Sequence, residues 1–189
     1  MKWASLLLAA TLVVAGCAAK PVLETRAAGS PPGVNLSGTW ILRGADNTPI
    51  VERQTIIMPR TSARSAEMRE RQRRSDGRTK GLSVHVFMES GKKLKVTQTD
   101  FGVFASFDRA IVEEVNFGEN RIVTVGPIKA QRVTGWEGDA LIIETMDEEG
   151  NVLKESWYLD DRGDVLVRDI LIHKGDVEHM SIQQVFDRG

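Results

Sequence analysis

The groups able to form or break bonds near neutral pH are few in this chain of 189 residues: one thiol, Cys17, and three imidazoles, His85, His173 and His179. A thiolate is a strong nucleophile, but a lone cysteine has no internal disulfide partner, so Cys17 is either modified or a buried structural thiol. If 174–176 form a three-residue hairpin loop, His173 lies opposite Val177, Ile170 opposite Met180 and Arg168 opposite Ile182. His173 and His179 then share one face, about 7–8 Å apart on the diagonal, which suits a metal only with additional ligands. Glu178 is expected on the opposite face, and solvated strand histidines account for the pattern without a metal. The acidic pairs Glu113-Glu114, Asp147-Glu148 and Asp160-Asp161 are assigned to turns or strand ends, where they keep a sheet soluble. Neighbours on a strand point to opposite faces, so Glu113 and Glu114 cannot form a carboxylate dyad by themselves. There is no Gly-x-Ser-x-Gly and no phosphate-binding glycine loop. The expectation is a non-catalytic protein with no cofactor and no metal.

The flanks of Cys17 are more informative. A short basic start, Met1 to Trp3, is followed by an uncharged apolar run over 4–15. That is too short to span a bilayer, which takes about 20 residues, and matches a signal-peptide core of about 7–15. The small residues Ala15 and Gly16 stand directly before the cysteine. Val14-Ala15-Gly16-Cys17 resembles the lipobox of bacterial lipoproteins. The resemblance implies a signal peptide over 1–16, cleavage before Cys17, a diacylglycerol on its sulfur and acylation of its new amino group. Two or more acyl chains, at about 0.8 kcal/mol per buried methylene, anchor far more firmly than one. Ala18 and Ala19, with no Asp after the cysteine, resemble lipoproteins passed on to the outer membrane, facing the periplasm.

From 17 to 35 the chain is rich in Ala, Gly, Pro and Ser and is expected to be a flexible linker that holds the folded part clear of the headgroups. The folded domain is expected over 36–189. Charge is divided unevenly: residues 1–99 carry 16 Lys/Arg against 7 Asp/Glu, and residues 100–189 carry 9 against 19. Much of the basic excess lies in 60–80, with eight basic and three acidic residues, including Arg64, Arg69, Arg71, Arg73, Arg74 and Arg78. This stretch has no core-facing apolar stripe, so it is expected to be an exposed helix or loop inserted in the domain. It either binds an anionic envelope component such as lipid phosphate or lies against the acidic half of the chain. No aromatic residues are interleaved with its arginines, which argues against nucleic acid.

The elements that would position these groups are strands. Short segments rich in β-branched and aromatic residues run over 36–42, 83–89, 93–99, 121–125, 140–146, 152–159, 165–173 and 177–186, with a further candidate near 54–58. The gaps between them are too short for parallel crossovers, so the expected fold is an all-β, antiparallel up-and-down meander. In the last hairpin, Ile170, Ile172, Met180, Ile182 and Phe186 would share the core face. Asp169, Leu171, His173, His179, Ser181 and Gln183 would share the other.

The stretch Asn35 to Trp40 carries Gly38 and Trp40 in a Gly-x-Trp pattern that resembles the first strand of lipocalins. In that family an arginine near the end of the last strand packs over the tryptophan, a role the resemblance gives to Arg188. The later runs from Thr134 to Asp169 are similar to uncharacterised exported β-meander proteins. A lipocalin-like barrel, closed or partly open, implies binding of a small apolar or amphipathic ligand, with Trp40, Trp136 and Trp157 lining the cavity or filling the core. The competing expectation is an envelope interaction protein with a filled core, acting through its surface and the Arg-rich insertion.

Overall fold

The computed structural model describes residues 22–44 and 83–189. Its strands are β1 (Gly38–Leu42), β2 (Lys93–Gln98), β3 (Gly102–Phe107), β4 (Ile111–Asn116), β5 (Asn120–Val125), β6 (Ile128–Glu137), β7 (Ala140–Asp147), β8 (Val152–Leu159), β9 (Val165–Lys174) and β10 (Val177–Arg188). They form one antiparallel sheet in the order β4-β3-β2-β1-β10-β9-β8-β7-β6-β5. Every sequential pair is hydrogen-bonded except β4 and β5, while β1 pairs with β10 and so joins the first strand to the last.

This up-and-down order is the one expected from the short gaps, and alternation sets its inner face. In β9 and β10, Leu166, Ile170 and Ile172 stand opposite Phe186, Ile182 and Met180, and the first three are buried. The connections at 108–110, 126–127, 148–151 and 175–176 lie at one end of the barrel, together with Gly44 and Ser83. Those at 99–101, 117–119, 138–139 and 160–164 lie at the other, beside Arg188. We call these the Gly44 end and the Arg188 end.

Several local expectations are corrected. The segment expected as a strand over 83–89 is instead a 3-10 helix, Ser83–Phe87. Val84 and Phe87, three residues apart, stack on one side of such a helix and are both buried. Strands β3, β4 and β6 were not anticipated. The β9–β10 loop has two residues, since Lys174 pairs with Val177, and the register then shifts at a bulge between Glu178 and Met180. Arg168 therefore faces Gln184 rather than Ile182, and Glu178 stands opposite His173 on its own face. The bulge restores the core register, so the five core-face residues still lie together.

The linker expectation also changes, because residues 22–27 run along the outside of β6 and residues 30–35 cross to β2, where the Gln98 side chain bonds Ser30 and Val34 and Val34 packs on the core. Leu23 N–H donates to the Gln131 side chain at 3.0 Å, and Leu23 C=O accepts from it at 3.2 Å. Arg26 forms ion pairs with Glu137 and Glu144, and Ala27 forms a β-bridge with Trp136. The chain thereby covers Val133 and Ile142 on the outer face, which are 0% and 2% exposed. Close approach is possible because residue 135 is glycine. A Cβ there would stand 2.4 Å from the Ala27 carbonyl oxygen and 2.8 Å from Arg26 Cβ, and its φ of +152° is one that side chains disfavour.

Gly135→Ala should loosen this covering strand, with a loss of about 1–3 kcal/mol in urea unfolding. Faster amide exchange of Leu23 and Trp136 should accompany it; unchanged exchange at both would contradict the packing described.

Candidate functional site

Inside the barrel the inner face is not uniformly apolar. Midway along the strands it carries Glu113 (β4), Arg132 (β6), Thr145 (β7), Glu155 (β8), Arg168 (β9) and Gln184 (β10). Burying a charge without a partner is costly, so each must be paired and hydrogen-bonded.

Arg168 is fully buried. Its Nε donates to Glu155 Oε2 at 2.8 Å, and its Nη2 lies 2.7 Å from the same oxygen. Its Nη1 donates to Gln184 Oε1 at 3.0 Å and to the Glu89 carbonyl at 2.8 Å. Trp157 Nε1 donates to Glu155 Oε2 at 3.0 Å. The guanidinium carbon is 5.1 Å from the Trp157 ring centre and 5.2 Å from that of Phe107, both within cation–π range. Phe107 also meets Trp157 edge to face at 6.2 Å. Since β3 and β8 lie far apart in the strand order, these contacts span the lumen.

A second pair ties the open seam of the sheet. Arg132 Nη1 forms an ion pair with Glu113, joining β6 to β4 across the unpaired edges, while its Nε donates to Thr145 Oγ1 at 3.0 Å. Where β4 ends, the Thr134 hydroxyl donates to the Asn116 carbonyl, and Gly118 N–H donates to Thr134 C=O at 2.9 Å. The barrel is thus partly open in its ladder but bridged by side chains. Burial holds the Glu113 carboxyl above its ordinary range; nearby Glu155 pushes the same way, and Arg132 and Arg168 oppose it.

At the Arg188 end the guanidinium of Arg188 lies 4.3 Å from the Trp40 ring centre, and Trp40 is 0% exposed. Trp40 Nε1 donates to Leu36 C=O at 3.0 Å, and Arg188 Nη2 donates to Gly163 C=O at 2.8 Å. Gly38 leaves room for this stack, since a Cβ there would stand 2.9 Å from Arg188 Nη1. Trp136 packs on Phe117 at 5.2 Å, and Trp157 belongs to the same core. The three tryptophans are therefore packing residues in this structure.

At the Gly44 end a surface cleft of about 480 Å³ is lined by Val22, Ile122, Lys129, Met146 and the turn at 148–150. Beside it, burial pushes the Asp147 carboxyl up, but hydrogen bonds from Ser83, from Asn151 and from Glu149 N–H outweigh it and hold Asp147 below its ordinary range. Among the described residues no group of three or more His, Cys, Asp or Glu converges as a metal site. His173 Nδ1 lies 3.0 Å from Gly175 C=O, and burial lowers the pKa of His85. Val14, Ala15, Gly16, Cys17, Arg64, Arg69, Arg71, Arg73, Arg74, Arg78 and the candidate strand near 54–58 lie outside the described residues.

The assignment of Glu113 to a solvating strand end is corrected: it is an inner residue of β4. The usable signal was alternation itself, because Arg168 interrupts the apolar series 166, 170, 172, and Glu155 stands between Leu153 and Trp157.

The strand order and register define the class of the chain as an all-β, up-and-down antiparallel barrel, partly open. No family model matches the sequence, and no curated protein matches it. Among solved structures, a secretary abundant heat soluble (SAHS) protein from Ramazzottius varieornatus is similar, with a TM-score of 0.40 and 13% identity over 51% of this chain and 70% of that chain.

Arg168→Met should cost about 3–5 kcal/mol in urea unfolding, because Glu155 is left charged in the core; Arg168→Met with Glu155→Leu should recover much of that. Equal losses in the single and double variants would contradict the pairing. The pH dependence follows from Glu113, which is faced by Arg132, Glu155 and Arg168. A raised folded-state pKa means the folded chain binds this proton more readily than the unfolded chain. Ionised Glu113 therefore costs stability above the raised value, and acidification towards 4.5 relieves it. Glu113→Gln lacks this relief, so wild type should gain on it as pH falls from the alkaline side. A flat difference in urea midpoints across that range would exclude the effect.

Proposed function

We propose that this chain is a non-catalytic bacterial lipoprotein, held through Cys17 in the outer membrane facing the periplasm, whose barrel works through its outer surface. The observation that carries the surface role is the filled lumen. Trp40, Phe107, Trp157, Leu153, Arg168, Ile170 and Ile172 are each 0–2% exposed, so these inner side chains spend almost all of their surface on packing. A carrier of a long apolar ligand would need these side chains to line a void. The anchor rests on Val14-Ala15-Gly16-Cys17 and the apolar run before it. The Arg-rich stretch 60–80 supplies the chemistry for an anionic envelope component such as lipid phosphate.

A second reading is favoured by the cleft at the Gly44 end, where Val22, Ile122 and Met146 provide apolar walls beside Lys129. That combination suits a small amphipathic molecule held at the surface.

Intact-mass measurement of the chain purified from membranes should show the acyl additions and the loss of residues 1–16. Cys17→Ser should abolish both and release the protein from sedimenting membranes; an unmodified native mass would refute the anchor. Native mass spectrometry distinguishes the two roles. The surface role predicts no stoichiometric ligand retained by the barrel, and loss of captured anionic envelope partners, lipid included, when Arg69, Arg71, Arg73 and Arg74 are neutralised. A stoichiometric small ligand displaced by Met146→Trp would favour the cleft.

A further inference from the structure

We infer that the Gly44 end of the barrel is the surface that rests on the lipid bilayer, with the Arg188 end pointing away; this orientation depends on the lipid anchor proposed at Cys17. It follows from where the covering strand begins. Its path along β6 is fixed at Ala27, against Trp136, and at Leu23, against Gln131. Val22 then emerges beside Met146 and the turn at 148–150, at the Gly44 end. Only five residue steps separate Val22 from Cys17, and a fully extended chain of that length reaches at most about 18 Å. An acylated Cys17 sits at the headgroup layer, so this end of the barrel is held within that distance of it. The β6 strand between the two ends has 10 residues, or about 33 Å of strand. The tether is thus too short to bring both ends equally near the membrane unless the barrel lies on its side.

The side chains fit the same orientation. Exposed apolar residues are present at the Gly44 end, where Val22 is 71% exposed, Val177 59% and Val125 41%, and Phe101, 80% exposed, is their counterpart at the Arg188 end, so the tether rather than apolar surface alone sets the orientation. Lys129 and Lys174 lie among them, with long stems able to sit along apolar surface while the ammonium reaches phosphate. Glu148, Glu149 and Asp176 share the rim, so attachment there is set by the tether and apolar contact more than by net charge. The connections of the Arg188 end carry Asp100, Glu119, Asp139, Asp160, Asp161 and Asp164 against Arg162. An anionic bilayer repels that composition. The points where 45–82 joins the barrel, Gly44 and Ser83, also stand at the membrane-facing end.

The test uses the full acylated chain in vesicles of phosphatidylethanolamine and phosphatidylglycerol. Acylation consumes the native thiol, so an introduced cysteine is the sole labelling site. Wild type that takes up a thiol dye at Cys17 would mean the anchor itself is wrong, an outcome separate from the orientation. Asp176→Cys and Glu148→Cys mark the Gly44 end, and Asp139→Cys and Asp161→Cys mark the Arg188 end; all four positions are exposed. Each carries a bimane label, and a nitroxide-headgroup lipid serves as quencher. The expected result is loss of most fluorescence at positions 148 and 176 and none at 139 and 161. Equal quenching at both ends, or quenching only at 139 and 161, in a chain with verified acyl mass would overturn the orientation.

Discussion

The barrel depends on the pairing of charge inside it. Two guanidiniums and two carboxylates occupy its inner face, and none of them could remain there alone. Arg168 meets this constraint through hydrogen bonds to Glu155, Gln184 and the Glu89 carbonyl, while its guanidinium lies within 5.2 Å of the edge-to-face pair of Phe107 and Trp157. Strands far apart in the sheet order are thereby held at one separation, which a purely apolar core would specify less strictly. Buried ionic groups are weak evidence for stability but can serve uniqueness of packing, and the lumen-spanning contacts suggest that use.

The second pair answers a different need. Among the described residues the ten-stranded sheet leaves β4 and β5 without a ladder between them, and unpaired backbone edges invite pairing with other chains. Arg132 and Glu113 bridge that seam from within, and the hydroxyl of Thr134 bridges it where β4 ends. On the outside, residues 22–27 run over β6 and β7, so part of that wall has two layers. Residues 22–35 are thus part of the domain rather than a free linker.

Much of the fold was legible from period-two alternation and explicit turns, which located β1, β2, β5 and β7 to β10 and their antiparallel order. The missing strands have a common cause. In β4 and β6 the inner positions include Glu113, Arg132 and Thr134, so the residues that make the polar belt also break the apolar alternation by which a strand is recognised. In β3 the outward Phe104 is 43% exposed and blurs the two faces. The 3-10 helix escaped because 83–89 is apolar at both period two and period three, and only the packing of Val84 and Phe87 decides between them. The Gly-x-Trp resemblance pointed to the pairing of Trp40 with Arg188, whereas the belt is assembled from six strands whose registers must be known first.

The ladder between β1 and β10 has a consequence for how the molecule comes into being. Ser37 and Arg188, which meet in that ladder's corner, are separated by 151 positions. The seam they form therefore waits for β10, the last strand of the barrel, to leave the ribosome, and such distant closure is intrinsically slow. A nascent chain with this topology stays unlocked until β10 arrives beside β1.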